Sequence, residues 1–365
     1  MAAVVVGLLD VVVADRGPEF GQDFRVVWLA GRHVLHGQAV YAPARLPFVY
    51  PPTAAVLAVP AALLPLAVAQ ALFVAALLVC VAVAAVHAVR FSGRRGTCVA
   101  PVAVLAVGAY EPAAAALANL NVSGLLAPVV PVYLERMLRG RDRSAGALLG
   151  VSFAVKPLLL PLLVVPLLLR RPRALLLPVS VAAALTVLSL PVLPDRARFF
   201  TTVVPALLGH GPSPLGAHNI SVHGLFVTYG WRTDIADGIR LLVAVLAVAA
   251  AVAVWRGAVP VDLRLAEVTG VLFVGFFLAN ATNENHYLLV LLPLIATLLH
   301  PRSQLRHLVT AAAVALIATA RPLPGSGAHG FALSQVAGQV LLLLGALVAA
   351  LARRRTGRSR PTPGR

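Results

Sequence analysis

Charge is scarce in this chain, and acid and cysteine are scarcer still. Only 12% of its 365 residues are charged, about half the share of an ordinary soluble domain. Thirteen acidic side chains stand against 30 basic ones, and all but one of the basic ones are arginine. The two cysteines, Cys80 and Cys98, fall in or beside apolar runs, where a thiol behaves as a small hydrophobe rather than as half of a disulfide or metal pair. No GxxxxGK[ST] or G-x-G-x-x-G element is present, which removes the usual grounds for nucleotide chemistry. The histidines are not spaced with a carboxylate as metal ligands are, so neither metal nor cofactor is expected.

What fills the chain is apolar sequence, 60% of the total. Repeated runs approach the ~20 residues needed to cross a hydrocarbon layer, without the short alternating strands of an outer-membrane barrel. The class is an all-α polytopic membrane protein. The net charge of +17 could suggest nucleic acid, but the arginines are clustered between apolar runs: Arg90, Arg94 and Arg95; Arg136 to Arg143; Arg170, Arg171 and Arg173; and Arg353 to Arg360. That pattern marks cytoplasmic loops and anionic lipid, not a continuous nucleic-acid face.

Threading the runs between these clusters gives about 12 membrane segments in one domain, 1–352, with a basic, disordered tail at 353–365. The first helix is placed at about 2–14, with polar outer loops at 15–52 and 195–238. The run 53–89 is divided by Pro60 and Pro65. Segment 144–169 lies between two arginine clusters yet is too short for two full spans. It reads as a broken helical pair meeting at Lys156–Pro157, because proline cannot continue the helical ladder. Such breaks persist in a membrane only where protein buries them or they line a cavity.

Polar groups at membrane depth are candidates for function. Lys156, the single lysine, either snorkels and pairs with a carboxylate or contacts a ligand phosphate. Asp23 lies in a polar stretch with Arg25, Trp28, Tyr41 and Tyr50, and is either a solvated carboxylate paired with Arg25 or a general base. Asp15 and Glu19 compete in the same loop. The turn Asn283-Glu284-Asn285-His286-Tyr287 and the loop residues His218, Asn219, Ser221 and His223 complete the polar inventory.

Several of these pieces, in order and spacing, resemble glycosyltransferase family 87. They are Asp23-Phe-Arg-Val-Val-Trp with Gly37 and Tyr41; Pro47-Phe-Val-Tyr-Pro-Pro52; Arg139-Gly-Arg with Gly146-Ala-Leu-Leu-Gly150 and Ala154-Val-Lys156-Pro157; Arg170-Arg-Pro-Arg173; and Asn285-His286-Tyr-Leu-Leu-Val-Leu-Leu-Pro293. The likeness covers about residues 1–300. It implies a GT-C fold and an inverting, polyprenyl-phosphate-mannose-dependent α-1,2-mannosyltransferase of actinobacterial envelopes, in the inner (plasma) membrane with its active site on the extracytoplasmic side. Asp23 would be the base. Lys156, with Arg25, would face the donor phosphate. Tyr50, Asn121, Asn219, Glu284, Asn285 and His286 would line the sugar and acceptor site. The partners implied are the lipid-phosphate sugar, a glycolipid or glycan acceptor and membrane lipids. One departure is Ala118-Asn-Leu-Asn121 where the family carries Gly-Gln-x-Asn. A polyprenyl-phosphate-arabinose-dependent arabinofuranosyltransferase is the nearest alternative. A lipid-linked sugar flippase or secondary transporter is the alternative of another class, and it should show paired repeats.

Overall fold

A computed structural model of the chain describes residues 20–43, 46–94, 99–208, 219–319 and 330–357. The expected first helix, Asp15, Glu19, His218 and the end of the basic tail fall outside these residues. Among the described residues the fold is all helical, without a strand. Four helices are long and apolar enough to cross a membrane: Leu66–Ser92, Pro172–Val192, Thr233–Trp255 and Gly330–Ala349. A fifth crossing results if the pair Pro101–Gly108 and Glu111–Asn119, bent by 68°, counts as one.

The expected dozen segments are therefore a miscount, and the reason is proline. Apolar runs taken as spans are cut into short pieces. Pro128 separates Val122–Leu126 from Val129–Leu138. Pro157 and Pro161 tighten residues 157–163 into a 3₁₀ turn before Val164–Leu168. Residues Asn285–Leu291 are likewise 3₁₀ ahead of the short helix Leu292–Thr297. A run of apolar letters sets burial; only an unbroken hydrogen-bond ladder sets length.

The break at Lys156 is where the sequence places it. The helix Asp142–Val155 ends at Lys156, whose backbone is extended at φ −158° and ψ 118°. This helix packs against Leu176–Ser189 through Gly146 and Gly150. A methyl group on Gly150 would stand 2.6 Å from Val181 Cβ and 2.8 Å from the Pro178 carbonyl, so the small residues set the approach of the two helices.

The described residues of the stretch 15–52 include a regular helix. Gln22–Leu35 is an amphipathic helix burying Phe24, Val27, Ala30 and Gly31. Gly21 starts it in the left-handed region at φ 68° and donates its N–H to the Ala118 carbonyl at 2.9 Å. Short helices at Pro52–Leu57 and Val59–Ala62 follow, and Pro65 then opens the 23-residue helix Leu66–Ala88. The last helix runs through Gly357, into the stretch expected to be a disordered tail.

Candidate active site

Six segments distant in sequence converge on a cavity of about 300 Å³. Its walls are mostly apolar, from Leu46, Pro47, Val49, Leu158, Leu160, Leu207, Leu208 and Phe276. Its polar groups are Asp23, Tyr50, Asn121, Lys156, Asn280, Thr282, Glu284 and Tyr287.

The polar groups form a connected line. Asn121 Nδ2 donates to Asp23 Oδ2 at 2.6 Å. Lys156 Nζ donates to Asn121 Oδ1 at 3.3 Å and to Ser123 Oγ at 2.8 Å. The ammonium also sits over the Tyr287 ring, 4.1 Å from its centroid, and 5.2 Å from that of Tyr50, an arrangement that favours the cation. Asn121 Oδ1 additionally accepts from the backbone N–H of Ser123 at 2.8 Å, capping the Val122–Leu126 helix in the ordinary manner of an asparagine N-cap. These bonds fix the amide's orientation: its oxygen faces the lysine and its nitrogen the aspartate.

Glu284 closes the cavity from the other side. His286 Nε2 lies 3.2 Å from Glu284 Oε2. Burial pushes the Glu284 carboxyl upward, but His286, Lys156 and Tyr287 together outweigh it and hold the group at about 2. Asp23 goes the other way. Burial first, then the negative charge of Glu284, raises it from its ordinary value, against His286, Asn121 and Lys156.

A third carboxylate, outside the cavity lining, has a different task. Asp195 accepts the backbone N–H groups of Val40 at 3.0 Å and Tyr41 at 2.6 Å. Tyr41 donates to the Tyr50 carbonyl at 3.0 Å and packs on Phe48 and Phe199. This aromatic cluster holds the segment carrying Tyr50 over the cavity.

Of the residues singled out from sequence, Asp23, Tyr50, Asn121, Lys156 and Glu284 line the cavity. Arg25 does not: it is exposed on the far side of its helix, because residues two apart on a helix do not face each other. Nor does it pair with Asp23. Asn219 is fully buried outside the cavity. Its side chain bonds the Ala281 carbonyl at 2.8 Å and the Asn283 N–H at 3.0 Å, bracing the turn that carries Glu284. Asn285 and His286 are buried behind the cavity wall, so His286 acts on the cavity through Glu284. Ser123 escaped notice. A serine inside an apolar stretch carries little signal, although its place two residues after a helix-capping asparagine could have flagged it.

The family model of glycosyltransferase family 87 matches residues 48–280. The alpha-(1->3)-arabinofuranosyltransferase of Mycobacterium tuberculosis is 28% identical over 84% of this chain and 72% of its own length. Its namesake in Mycolicibacterium smegmatis is 27% identical over 71% of this chain and 61% of its own. In Corynebacterium glutamicum the protein of that name is 25% identical over 56% of this chain and 48% of its own. No solved structure matches the chain.

Proposed function

The chain belongs to glycosyltransferase family 87, and from that premise we propose that it transfers an arabinofuranosyl residue from a polyprenyl-phosphate donor to an envelope glycan or glycolipid, forming an α linkage. The mannosyl donor implied by the family resemblance gives way to the pentose, because the similar relatives carry the name arabinofuranosyltransferase. The setting is the plasma membrane, with the cavity open to the extracytoplasmic side.

The observation that carries the chemistry is the line Asp23–Asn121–Lys156. Asp23 accepts the proton of the acceptor hydroxyl as its oxygen attacks the anomeric carbon. The bond from that carbon to the phosphate oxygen breaks, and the electron pair leaves on the phosphate. Lys156 meets the charge developing there, the kind of preorganised stabilisation that gives most in a low-dielectric site. One displacement turns a β-linked donor into an α product. An isolated leaving phosphate needs no proton, so one carboxylate suffices as base. Asp23 and Glu284 then have separate work, because their environments drive their carboxyls in opposite directions. Glu284, kept ionised, is suited to accept hydrogen bonds from sugar hydroxyls. The leucines and Phe276 of the wall suit a polyprenyl chain.

The test is transfer by the purified full chain with two radiolabelled lipids, polyprenyl-phosphate-arabinose and polyprenyl-phosphate-mannose, offered separately with an arabinan acceptor. Label from the arabinose lipid alone is expected in the glycan. Label from the mannose lipid alone would overturn the assignment of the sugar.

A further inference from the structure

Three helices join the candidate site to a second cleft at the opposite end of the molecule. Near the start of Leu66–Ala88, Gln70 lies against Gly21, two residues from Asp23. The cleft begins at the far end of the same helix, at His87 and Arg90. At about 1.5 Å per residue the intervening helix is roughly 25 Å long, close to the thickness of a hydrocarbon layer. The Val129–Leu138 helix follows Asn121 and Ser123 toward the same end, and Asp142–Val155 returns from it to Lys156. The turn Arg139–Arg141 between those two helices completes the cleft.

This cleft, about 400 Å³, is lined by His87, Arg90, Glu135, Arg136, Arg139 and Arg141, with Val132. Its one carboxylate is already engaged. Glu135 is buried, bonds His87 Nδ1 at 2.9 Å, pairs with Arg90, and has Arg139 Nη2 at 3.6 Å. Arg136 is steadied by the Ser144 carbonyl at 3.0 Å. The Arg141 guanidinium is exposed and has no side-chain partner among the described residues. The nearest acid in sequence, Asp142, is paired with Arg171 at 2.9 Å. Four guanidiniums thus surround one carboxylate, leaving the cleft with three uncompensated positive charges.

A scattered basic rim would serve topology alone. Here arginines from separate helices converge on one concavity, with Arg90 and Arg139 gathered by Glu135. Guanidiniums offer forked donors that match phosphate oxygens, which an ammonium does not. The depth also matters: the cleft lies at the end of a membrane-length helix, where head groups sit. We propose that this cleft binds the phosphate of an anionic phospholipid in the leaflet opposite the catalytic cavity. Nothing in this assignment depends on the sugar-transfer reading.

The test is native mass spectrometry of the detergent-solubilised full chain, titrated with phosphatidylglycerol, phosphatidylcholine or soluble glycerol phosphate. Phosphatidylglycerol is expected to be retained over phosphatidylcholine, and glycerol phosphate at equal concentration is expected not to displace it. Arg139→Gln with Arg141→Gln should weaken retention by roughly fivefold per arginine lost. Arg170→Gln with Arg173→Gln, the same charge change at exposed positions outside the cleft, should leave it within about twofold on the same scale. Glu135→Gln, which frees Arg90 and Arg139, should strengthen retention. Equal binding of the two lipids, displacement by glycerol phosphate, or equal losses in the two arginine pairs would overturn the proposal. So would unchanged or weaker binding in a folded Glu135→Gln protein.

Discussion

The two clefts of this protein are built from the same helices and use charge in opposite ways. At one end a single ammonium stands among two carboxylates and two aromatic rings, behind apolar walls. At the other, four guanidiniums surround one carboxylate and face outward. The first arrangement is sheltered by apolar walls and fixed by partners from distant segments, so each charge is screened less and each change is felt more strongly. The second is wet, where salt screens each charge and no single residue dominates. What sets the first cleft apart as the candidate active site is the burial and mutual orientation of its polar groups, not its position at the end of a membrane-length helix.

The largest expected effect tests that contrast at its centre. Asp23→Asn keeps the shape and a hydrogen-bonding partner for Asn121 but removes the proposed base. Transfer should fall by roughly 10²–10⁴-fold with the melting temperature unchanged. Initial rates with labelled lipid donor measure it, and a rate within tenfold of the parent protein would remove Asp23 from the mechanism. Next comes Lys156→Gln. Losing the cation proposed to meet the leaving phosphate should cost about 10²–10³-fold in turnover and raise the KM for the lipid donor more than that for the acceptor. An effect confined to the acceptor would place the lysine elsewhere in the reaction.

The smallest effect is a shift rather than a loss. Burial and Glu284 raise the Asp23 carboxyl, so Asp23 takes up its proton at a higher pH than an ordinary aspartate. The rate should therefore decline, as pH falls, earlier than such a group would dictate. Glu284→Gln removes the like charge, and the acid limb of the pH–rate profile should move to lower pH. An acid limb that stays in place would mean that the two carboxylates do not sense each other.

How far these features could be read in advance depended on their chemistry. The helix break at Lys156 was legible because proline carries its own backbone rule, and a lone lysine beside it stands out in apolar sequence. The Asp23 stretch was harder. Polar residues and prolines made this stretch look like a loop, while the buried face of Phe24, Val27 and Ala30 belongs to the helix Gln22–Leu35. Arg25 was misplaced for the same reason, since nearness in sequence brings two side chains together in a loop and turns them apart on a helix. Asn219 drew attention as a polar residue in an outer loop, but its side chain bonds the backbone of Ala281, Ser221 and Asn283 and braces the turn carrying Glu284. The number of crossings was beyond reach, because composition reports how apolar a run is and not where its ladder is interrupted.

Asn121 has one more consequence. An aspartate and a lysine left together in a sheltered pocket would close into an ion pair and quench one another: the acid would be too well satisfied to take a proton, the ammonium too well satisfied to meet a phosphate. The amide between them is a spacer that cannot be squeezed out, because the oxygen that faces the lysine also caps a helix. Collapse would unwind that cap. In the proposed reaction the base and the phosphate-facing cation are thus held apart by a piece of ordinary secondary structure, each left with capacity for a partner of its own.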